Sequence, residues 1–211
     1  RFLLNDLRDI EMDRLHPRKR NRPLAAGQLS PHLAVAAMFG LATIAAVGGF
    51  QLGITFGALV TIYMLQNVAY TYWLKHQPIL DVMCIASGFV LRAVAGAIVI
   101  GTVPSPWMVL CTMTLAVFVG FGKRRHELVS LNDNATSHRD CLAGYSQQFL
   151  DLMMAISAAS AIVCYALYTV ASETVARFET QLLVLTTPFV IYGIFRYLYL
   201  VHLRTEGGDP S

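Results

Sequence analysis

The chain has 211 residues, of which 55% are hydrophobic and only 14% are charged, with a formal net charge of +3. Soluble domains usually carry about 25% charged residues, so this composition excludes an ordinary soluble protein. Residues 33–74, 93–122, 152–172 and 180–195 contain no Asp, Glu, Lys or Arg. A membrane-spanning helix needs about 20 apolar residues, and in lipid the backbone must satisfy its own hydrogen bonds. We therefore predict an all-α, multi-spanning transmembrane helical bundle.

The first polar segment, NDLRDIEMD at 5–13, places Asp6, Asp9 and Asp13 at i, i+3 and i+7. With 3.6 residues per turn, the three carboxylates share one helix face. Asp9 and Asp13 repel as an i,i+4 pair, and Pro17 soon ends the helix, which leaves the acids near its negative end. The pattern indicates a bound cation, and Mg²⁺ takes one or two carboxylates plus water and phosphate. The alternative is a solvated acidic rim paired with neighbouring arginines.

A strongly basic segment, HPRKRNRP at 16–23, follows the acids directly. This order favours a phosphate held between a metal on the acids and the basic side chains. The alternatives are positive charge that only orients the protein in the membrane and contact with anionic lipid.

Six apolar segments then predict membrane spans, separated by short Gly- or Pro-containing connectors and by one long polar connector at 123–140. The predicted spans are 33–50, 53–74, 79–101, 106–125, 143–171 and 181–203. Alternation of these spans places every strongly basic loop on one side, and the loops on the other side contain Arg177 as their only Lys or Arg. The positive-inside rule makes the basic side cytosolic.

The turn KHQPILD, 75–81, carries Lys75 and Asp81, and Arg92 lies three turns deeper than Asp81 on nearly the same helix face. Asp81 and Arg92 are about 16 Å apart along the axis at ~1.5 Å per residue, so they cannot bond to each other. Each is expected to meet a ligand or a neighbouring helix. A snorkelling Lys75 and a structural partner for Arg92 are the alternatives.

The segment GKRRHE, 122–127, ends the fourth predicted span and places Lys123, Arg124 and Glu127 near the cytosolic mouth. An i,i+4 pair between Lys123 and Glu127 is the alternative. Tyr145 lies at the polar start of the next span, where Asp151 is the only charge.

Acids, bases and Gly-rich turns therefore meet at one membrane face. This favours an anionic phosphate substrate bound with Mg²⁺, a lipid tail in the apolar interior, and diphosphate as leaving group, whose charge the metal and cations would stabilise. A transporter or lipid-binding membrane protein is the non-enzymatic alternative. Transporters place charges near the membrane midplane and often contain internal repeats, whereas here the charges gather at one face.

The stretch NDLRDIEMDRLHPRKRNRP resembles the UbiA superfamily of intramembrane prenyltransferases. The family motif NDxxDxxxD is matched by Asn5, Asp6, Asp9 and Asp13, and HPxKxxRP by His16, Pro17, Lys19, Arg22 and Pro23. The resemblance covers essentially the whole chain. Because the family has nine helices, it implies a single UbiA-like domain over 1–211 that is truncated at both ends, with about six complete helices visible.

Within the superfamily, LKHQPILD, SGFVLRAVAGA, GKRRHE and YLYLVH with EGGDP resemble one branch. Its members transfer 5-phosphoribose from phosphoribosyl diphosphate to a polyprenyl phosphate such as decaprenyl phosphate, for cell-wall arabinan synthesis. The resemblance implies that Asp6, Asp9, Asp13 and Asp81 are catalytic. The first three would be ligands of Mg²⁺, and Asp81 would line the second half of the site. The implied phosphate contacts are Lys19, Arg22, Lys75, Lys123 and Arg124, and the other predicted substrate-binding residues are Asn5, Arg92, Glu127 and Tyr145.

Many prenyl-transferring members carry a second acidic motif, DxxxD, but here Ile85 stands four residues after Asp81. The missing acid argues against a second carboxylate-bound Mg²⁺ and a prenyl diphosphate donor. A prenyltransferase that moves a polyprenyl group from its diphosphate to an aromatic acceptor is the alternative within the superfamily. We expect a bacterial inner (plasma) membrane protein with its site facing the cytosol and no nucleic-acid partner, and a homo-oligomer is left open.

Overall fold

The structure is a computed structural model that describes residues 2–15, 19–131 and 140–203. Within these ranges every regular element is helical. The α-helices are α1 (Phe2–Arg8), α2 (Ile10–Leu15), α3 (Pro31–Leu52), α4 (Ile54–Tyr72), α5 (Leu80–Val99), α6 (Pro106–Leu131), α7 (Gln147–Val170), α8 (Ser172–Phe178) and α9 (Thr187–Leu203). Short 3-10 turns lie at Lys19–Asn21, Leu74–His76, Asp140–Gly144 and Leu182–Thr186.

The predicted all-α membrane bundle is confirmed. Each of the six predicted spans contains one long helix, α3 to α7 and α9. The ends lie within a few residues of the prediction except at the end of α6 and at the start of α9, where the 3-10 turn Leu182–Thr186 comes first. Five of these segments are long and apolar enough to cross a membrane, with mean hydropathy between 1.4 and 2.1. The sixth, α4, has 19 residues and carries Gln66, Asn67 and Thr71 toward its end.

The helix ends follow from local sequence. Ser30 caps α3, since its hydroxyl accepts from the Leu33 N–H at 3.3 Å, and Pro31 occupies the first turn, where no N–H is needed. Gly53, with φ at 149°, makes the tight turn into α4. Ser146 caps α7 in the same way through the Phe149 N–H at 3.1 Å.

Helix α6 is longer than the sequence predicts. The fourth span was expected to end at residue 125, with a polar connector from 123 onward, but the helix continues to Leu131. The reason is that Arg124 and Arg125 are buried, at 4% and 5% exposure, and bond to other helices. The charges in this segment therefore stabilise the helix end within the bundle and do not end the helix.

Each long helix packs against the next along the chain, from α3 through α7, and α9 packs against α7. The core lies between α5, α6, α7 and α9 and includes Val82, Phe118, Leu150, Met154 and Val201. Gly120 allows α5 and α6 to approach closely, since a Cβ there would lie 2.7 Å from a methyl group of Val82. The outer faces carry large exposed apolar residues such as Phe39, Ile44 and Phe189, as lipid contact requires.

The short helices α1 and α2 lie at one end of this bundle. Helix α1 packs against α3 and α4, and Arg8 Nη1 donates to the Thr71 carbonyl at 2.8 Å. Side-chain bonds at the same end join α1 and α2 to the turn before α5, and join the start of α5 to α6 and to the segment before α7. The fold therefore gathers the polar residues of distant sequence segments at one end.

Candidate functional site

Arg22 bonds to two carboxylates on the acidic face of α1 and α2. Arg22 Nη1 donates to Asp6 Oδ1 at 2.7 Å and to Asp13 Oδ2 at 2.9 Å. The Asp13 N–H donates to the Asp9 carbonyl at 2.7 Å, and the Asp9 N–H to the Asn5 carbonyl at 2.9 Å, so the helical i,i+4 pattern continues past the short break at Asp9. The i,i+7 spacing therefore places the Asp6 and Asp13 carboxylates at one point, as the sequence predicted.

The third carboxylate, that of Asp9, has a different partner. Lys75 Nζ donates to both of its oxygens, at 2.8 and 3.0 Å. The Lys75 side chain is only 9% exposed, so it lies inside the site and does not snorkel toward the membrane surface. The turn after α4 thus contributes a buried cation to the acidic face.

Asp81 forms the centre of a second polar cluster. Its side chain is fully buried at the start of α5 and bonds to Arg124 Nε from α6. The Tyr145 hydroxyl donates to Asp81 Oδ1 at 2.9 Å and accepts from the Ile79 N–H. Burial raises the pKa of the Tyr145 phenol, and the nearby Asp81 carboxylate raises it further, so Tyr145 remains a donor at neutral pH. Asp81 therefore has partners on neighbouring segments, as its position in the sequence required.

The basic partner of Glu127 is Arg124 and not Lys123. Arg124 Nη1 donates to Glu127 Oε2 at 2.8 Å, an i,i+3 pair, whereas an i,i+4 pair with Lys123 had been the alternative. Arg124 thus joins Asp81 to Glu127, while the Lys123 side chain is exposed. Glu127, Arg124, Asp81 and Tyr145 form one connected cluster.

Arg92 lies apart from both clusters. Its guanidinium carbon lies 4.3 Å from the Phe89 ring centroid and 5.6 Å from that of Tyr63, and Nη1 is 3.4 Å from the Tyr63 hydroxyl. Tyr63 also lines a small polar cavity between α4 and α5, together with Gln66, Asn67, Tyr70, Cys84, Ile85 and Gly88. Arg92 is therefore close to this cavity rather than to the acidic face.

Some predicted residues are described only in part. Asn5 lies in α1 and is partly buried, and Lys19 begins a 3-10 turn, with its side chain outside the described set. His16, Pro17 and the EGGDP segment at 206–210 also lie outside the described residues.

Sequence reasoning missed a third cluster, which joins α6, α7 and α9. Arg125 Nε bonds to Asp151 Oδ1, and Arg125 Nη1 donates to the Val201 carbonyl at 2.9 Å. His202 Nε2 lies 3.2 Å from the same Asp151 oxygen. Adjacent residues on a helix point about 100° apart, so Arg124 and Arg125 necessarily face different neighbours. The one signal in the sequence was the lone Asp151 at the start of an apolar span.

The role of Gln66 in α4 was also missed. Gln66 Nε2 donates to the Ser87 hydroxyl at 2.8 Å and to the Cys84 carbonyl, which ties α4 to α5. A glutamine in an apolar span usually bonds across helices, so its position was the available signal.

The donor chemistry of the acidic face fits a divalent cation. In the described ranges, no three His, Cys, Asp or Glu side chains come together as a metal site. Asp6 and Asp13 do converge, since both bond to one nitrogen of Arg22. Hard ions such as Mg²⁺ bind through one or two carboxylates and complete their coordination with water and phosphate. These two carboxylates therefore match such an ion, with Asp9 beside them.

Comparison with known proteins shows the family to which the chain belongs. The model of the UbiA prenyltransferase family matches residues 2–210. The decaprenyl-phosphate phosphoribosyltransferase of Mycolicibacterium smegmatis is 34% identical over 167 residues, covering 79% of this chain and 52% of that protein.

Two further relatives carry the same name. The protein from Mycobacterium tuberculosis is 32% identical over 198 residues, which is 93% of this chain and 64% of the relative. The protein from Corynebacterium glutamicum is 31% identical over 169 residues, which is 79% of this chain and 51% of the relative. The chain therefore spans between half and two thirds of the length of these curated relatives.

Proposed function

The chain belongs to the UbiA prenyltransferase family, and on this premise we propose that it is the membrane-embedded body of a phosphoribosyltransferase. The proposed reaction transfers 5-phosphoribose from phosphoribosyl diphosphate to a polyprenyl phosphate, with decaprenyl phosphate as the first candidate, and releases diphosphate. Three relatives at 31–34% identity are named for this activity, which supports the choice of donor and acceptor. The product would supply cell-wall arabinan synthesis.

The observation that carries this proposal is the pairing of acids and bases at one end of an apolar bundle. Asp6 and Asp13 meet at Arg22, and Asp9 meets the buried Lys75. A diphosphate leaving group carries several negative charges, so a site for it needs a metal and fixed cations. This end of the bundle supplies carboxylates that can bind a metal and fixed cations that can bind phosphate. It lies next to helices whose outer faces suit a lipid tail. We place it on the cytosolic side of a bacterial inner membrane.

We assign the Mg²⁺ ligands to the acidic face. Asp6 and Asp13 already converge and would hold the ion, and Asp9 is proposed as a third ligand once Lys75 turns from it to phosphate. The ion, when bound, would neutralise charge on the departing diphosphate. Arg22 and Lys75 would contact phosphate oxygens, since both already lie at the carboxylates. Lys19, Lys123 and Asn5 are proposed as further substrate contacts at the same mouth.

The buried cluster around Asp81 would shape the other half of the site. Asp81 and Tyr145 fix the position of Arg124, and Arg124 in turn bonds to Glu127. An arginine held on two sides keeps its planar donors in a fixed direction, which suits phosphate binding. Arg92, close to the cavity between α4 and α5, is proposed to contact the lipid substrate.

The proposed chemistry needs charge stabilisation more than proton transfer. An oxygen of the lipid phosphate attacks the anomeric carbon of the ribose, and the bond from that carbon to the diphosphate oxygen breaks. The attacking phosphate is already ionised at neutral pH, so no general base is required. Acids that hold a metal and bases that hold phosphates are then the groups that the reaction demands.

One feature argues for this donor over a prenyl diphosphate. Ile85 stands where the second acid of a DxxxD motif would follow Asp81. In the structure Ile85 lines the small cavity beside α4, and Asp81 itself is fully buried against Arg124. The described residues around Asp81 therefore favour one metal-binding acidic face, on α1 and α2.

A paired transfer assay tests the proposal. The full-length protein in membranes with Mg²⁺ receives labelled phosphoribosyl diphosphate and polyprenyl phosphate in one mixture, and labelled prenyl diphosphate and 4-hydroxybenzoate in another. We expect label to enter lipid in the first mixture only. Product in the second mixture alone would replace the proposal with an aromatic prenyltransferase.

A further inference from the structure

A single nitrogen of Arg22 occupies the point where two carboxylates of the acidic face converge. Nη1 lies 2.7 Å from Asp6 Oδ1 and 2.9 Å from Asp13 Oδ2. Two carboxylates that approach one point repel unless a cation lies between them. Arg22 therefore holds the position that a divalent ion bound to both carboxylates would take.

Lys75 and Arg22, the cations that the described residues place at the acidic face, differ in their surroundings. The Lys75 side chain is 9% exposed and belongs to the turn between α4 and α5. The Arg22 side chain is 36% exposed and lies in a bend just after the 3-10 turn Lys19–Asn21. Lys75 is thus a buried partner of Asp9, whereas Arg22 can leave its carboxylates for solvent or a ligand at a smaller desolvation cost.

Resting on the proposed function, we infer that Arg22 is an internal counterion that a divalent metal displaces from Asp6 and Asp13. A divalent ion brings two positive charges where the guanidinium supplies one, so the exchange stabilises the carboxylates further. The displaced guanidinium remains within side-chain reach of the metal and offers paired donors to a phosphate. Metal binding alone must break both ion pairs of Arg22, whereas binding of metal together with diphosphate gives the guanidinium a new partner.

The expected consequence is weak metal binding before the phosphate donor arrives. Removing the guanidinium should therefore strengthen metal binding to the ligand-free protein, although it removes a group that contacts substrate. A purely structural role for Arg22 predicts the opposite, because the loss of its bonds would loosen the acidic face.

The test measures Mn²⁺, as a probe of the Mg²⁺ site, by electron paramagnetic resonance on the full-length protein in nanodiscs without any phosphate ligand. We expect Arg22→Gln to bind Mn²⁺ about tenfold more tightly than wild type, within the usual range for coupled sites. Arg22→Lys retains the charge and should stay close to wild type. Arg20→Gln is the matched control for net charge, since Arg20 is exposed in the same segment, and it should also stay close to wild type.

An unchanged or weaker Mn²⁺ affinity in Arg22→Gln would overturn the inference, and so would an equal gain in Arg20→Gln. A second measurement does not depend on the probe: Mg²⁺ should raise the thermal unfolding midpoint of Arg22→Gln more than that of wild type. Asp13→Asn distinguishes a wrong metal site from a wrong role for Arg22. If Asp13→Asn binds Mn²⁺ as tightly as wild type, the proposed metal site itself is wrong. If it weakens Mn²⁺ binding while Arg22→Gln shows no gain, only the counterion role is wrong.

Discussion

Lys75 and Asp9 lie 66 residues apart in the sequence, yet Lys75 Nζ donates to both oxygens of the Asp9 carboxylate at 2.8 and 3.0 Å. This pair connects the acidic helices α1 and α2 to the turn between α4 and α5. It brings a buried positive charge to a carboxylate that sequence reasoning had assigned to a metal site.

Replacement of Lys75 should affect both stability and substrate binding. Lys75→Gln leaves the Asp9 carboxylate without its ammonium partner, which we expect to lower the free energy of unfolding by about 1–3 kcal/mol. It should also raise the KM for phosphoribosyl diphosphate more than it lowers kcat. Unfolding in detergent and steady-state kinetics measure the two effects. Lys75→Arg retains the charge and is the matched control, and an equal loss of stability in both variants would argue against the ion pair.

The spacing of the acids was enough to predict their shared face. Asp6 and Asp13 are seven residues apart, and the structure places both carboxylates on Arg22 Nη1. Helical periodicity is a local property, so the sequence carries it directly. The positions of the long helices were predictable for the same reason, because each span is a continuous apolar run.

The partners of the buried charges were not predictable in this way. Arg124 and Asp81 are 43 residues apart, and Arg125 and Asp151 are 26 apart. Which of two adjacent arginines faces which helix depends on the rotation of α6 within the bundle, and packing sets that rotation. The sequence indicated that Asp81 needs a partner, but only tertiary structure identifies it.

The Tyr145 hydroxyl should stabilise the buried carboxylate cluster. Tyr145→Phe removes the donor to Asp81 and the acceptor of the Ile79 N–H, at a cost of about 1–3 kcal/mol. Ile79 has a φ of 67°, which is unfavourable for a β-branched residue, so the loss of its bond adds to the effect. The thermal unfolding midpoint checks the prediction.

Tyr192→Phe is the control for this variant, since Tyr192 is 68% exposed. We expect its midpoint to equal that of wild type. A double-mutant cycle of Tyr145→Phe with Asp81→Asn should give a coupling energy of about 1 kcal/mol or more. Additive effects would show that the two residues act independently.

Because α5 and α6 pack closely at Gly120, a larger residue at this position should destabilise the protein. A methyl group added by Gly120→Ala would lie 2.7 Å from Val82 Cγ1, in a fully buried position. Overpacking of this kind costs about 1–3 kcal/mol. Gly96→Ala in α5 is the matched control, because nothing lies within 4 Å of its added Cβ, and it should be neutral or slightly stabilising. Equal thermal unfolding midpoints for the two variants would contradict this close packing of α5 against α6.

The most direct test of the central claim is diphosphate release by the full-length protein in nanodiscs, measured for wild type and Asp9→Ala with phosphoribosyl diphosphate, decaprenyl phosphate and Mg²⁺. We predict that wild type releases diphosphate only when all three are present. We also predict that Asp9→Ala, though folded by size-exclusion and thermal unfolding, loses this activity. Full turnover by Asp9→Ala, or wild-type release that persists without polyprenyl phosphate or Mg²⁺, would contradict the account.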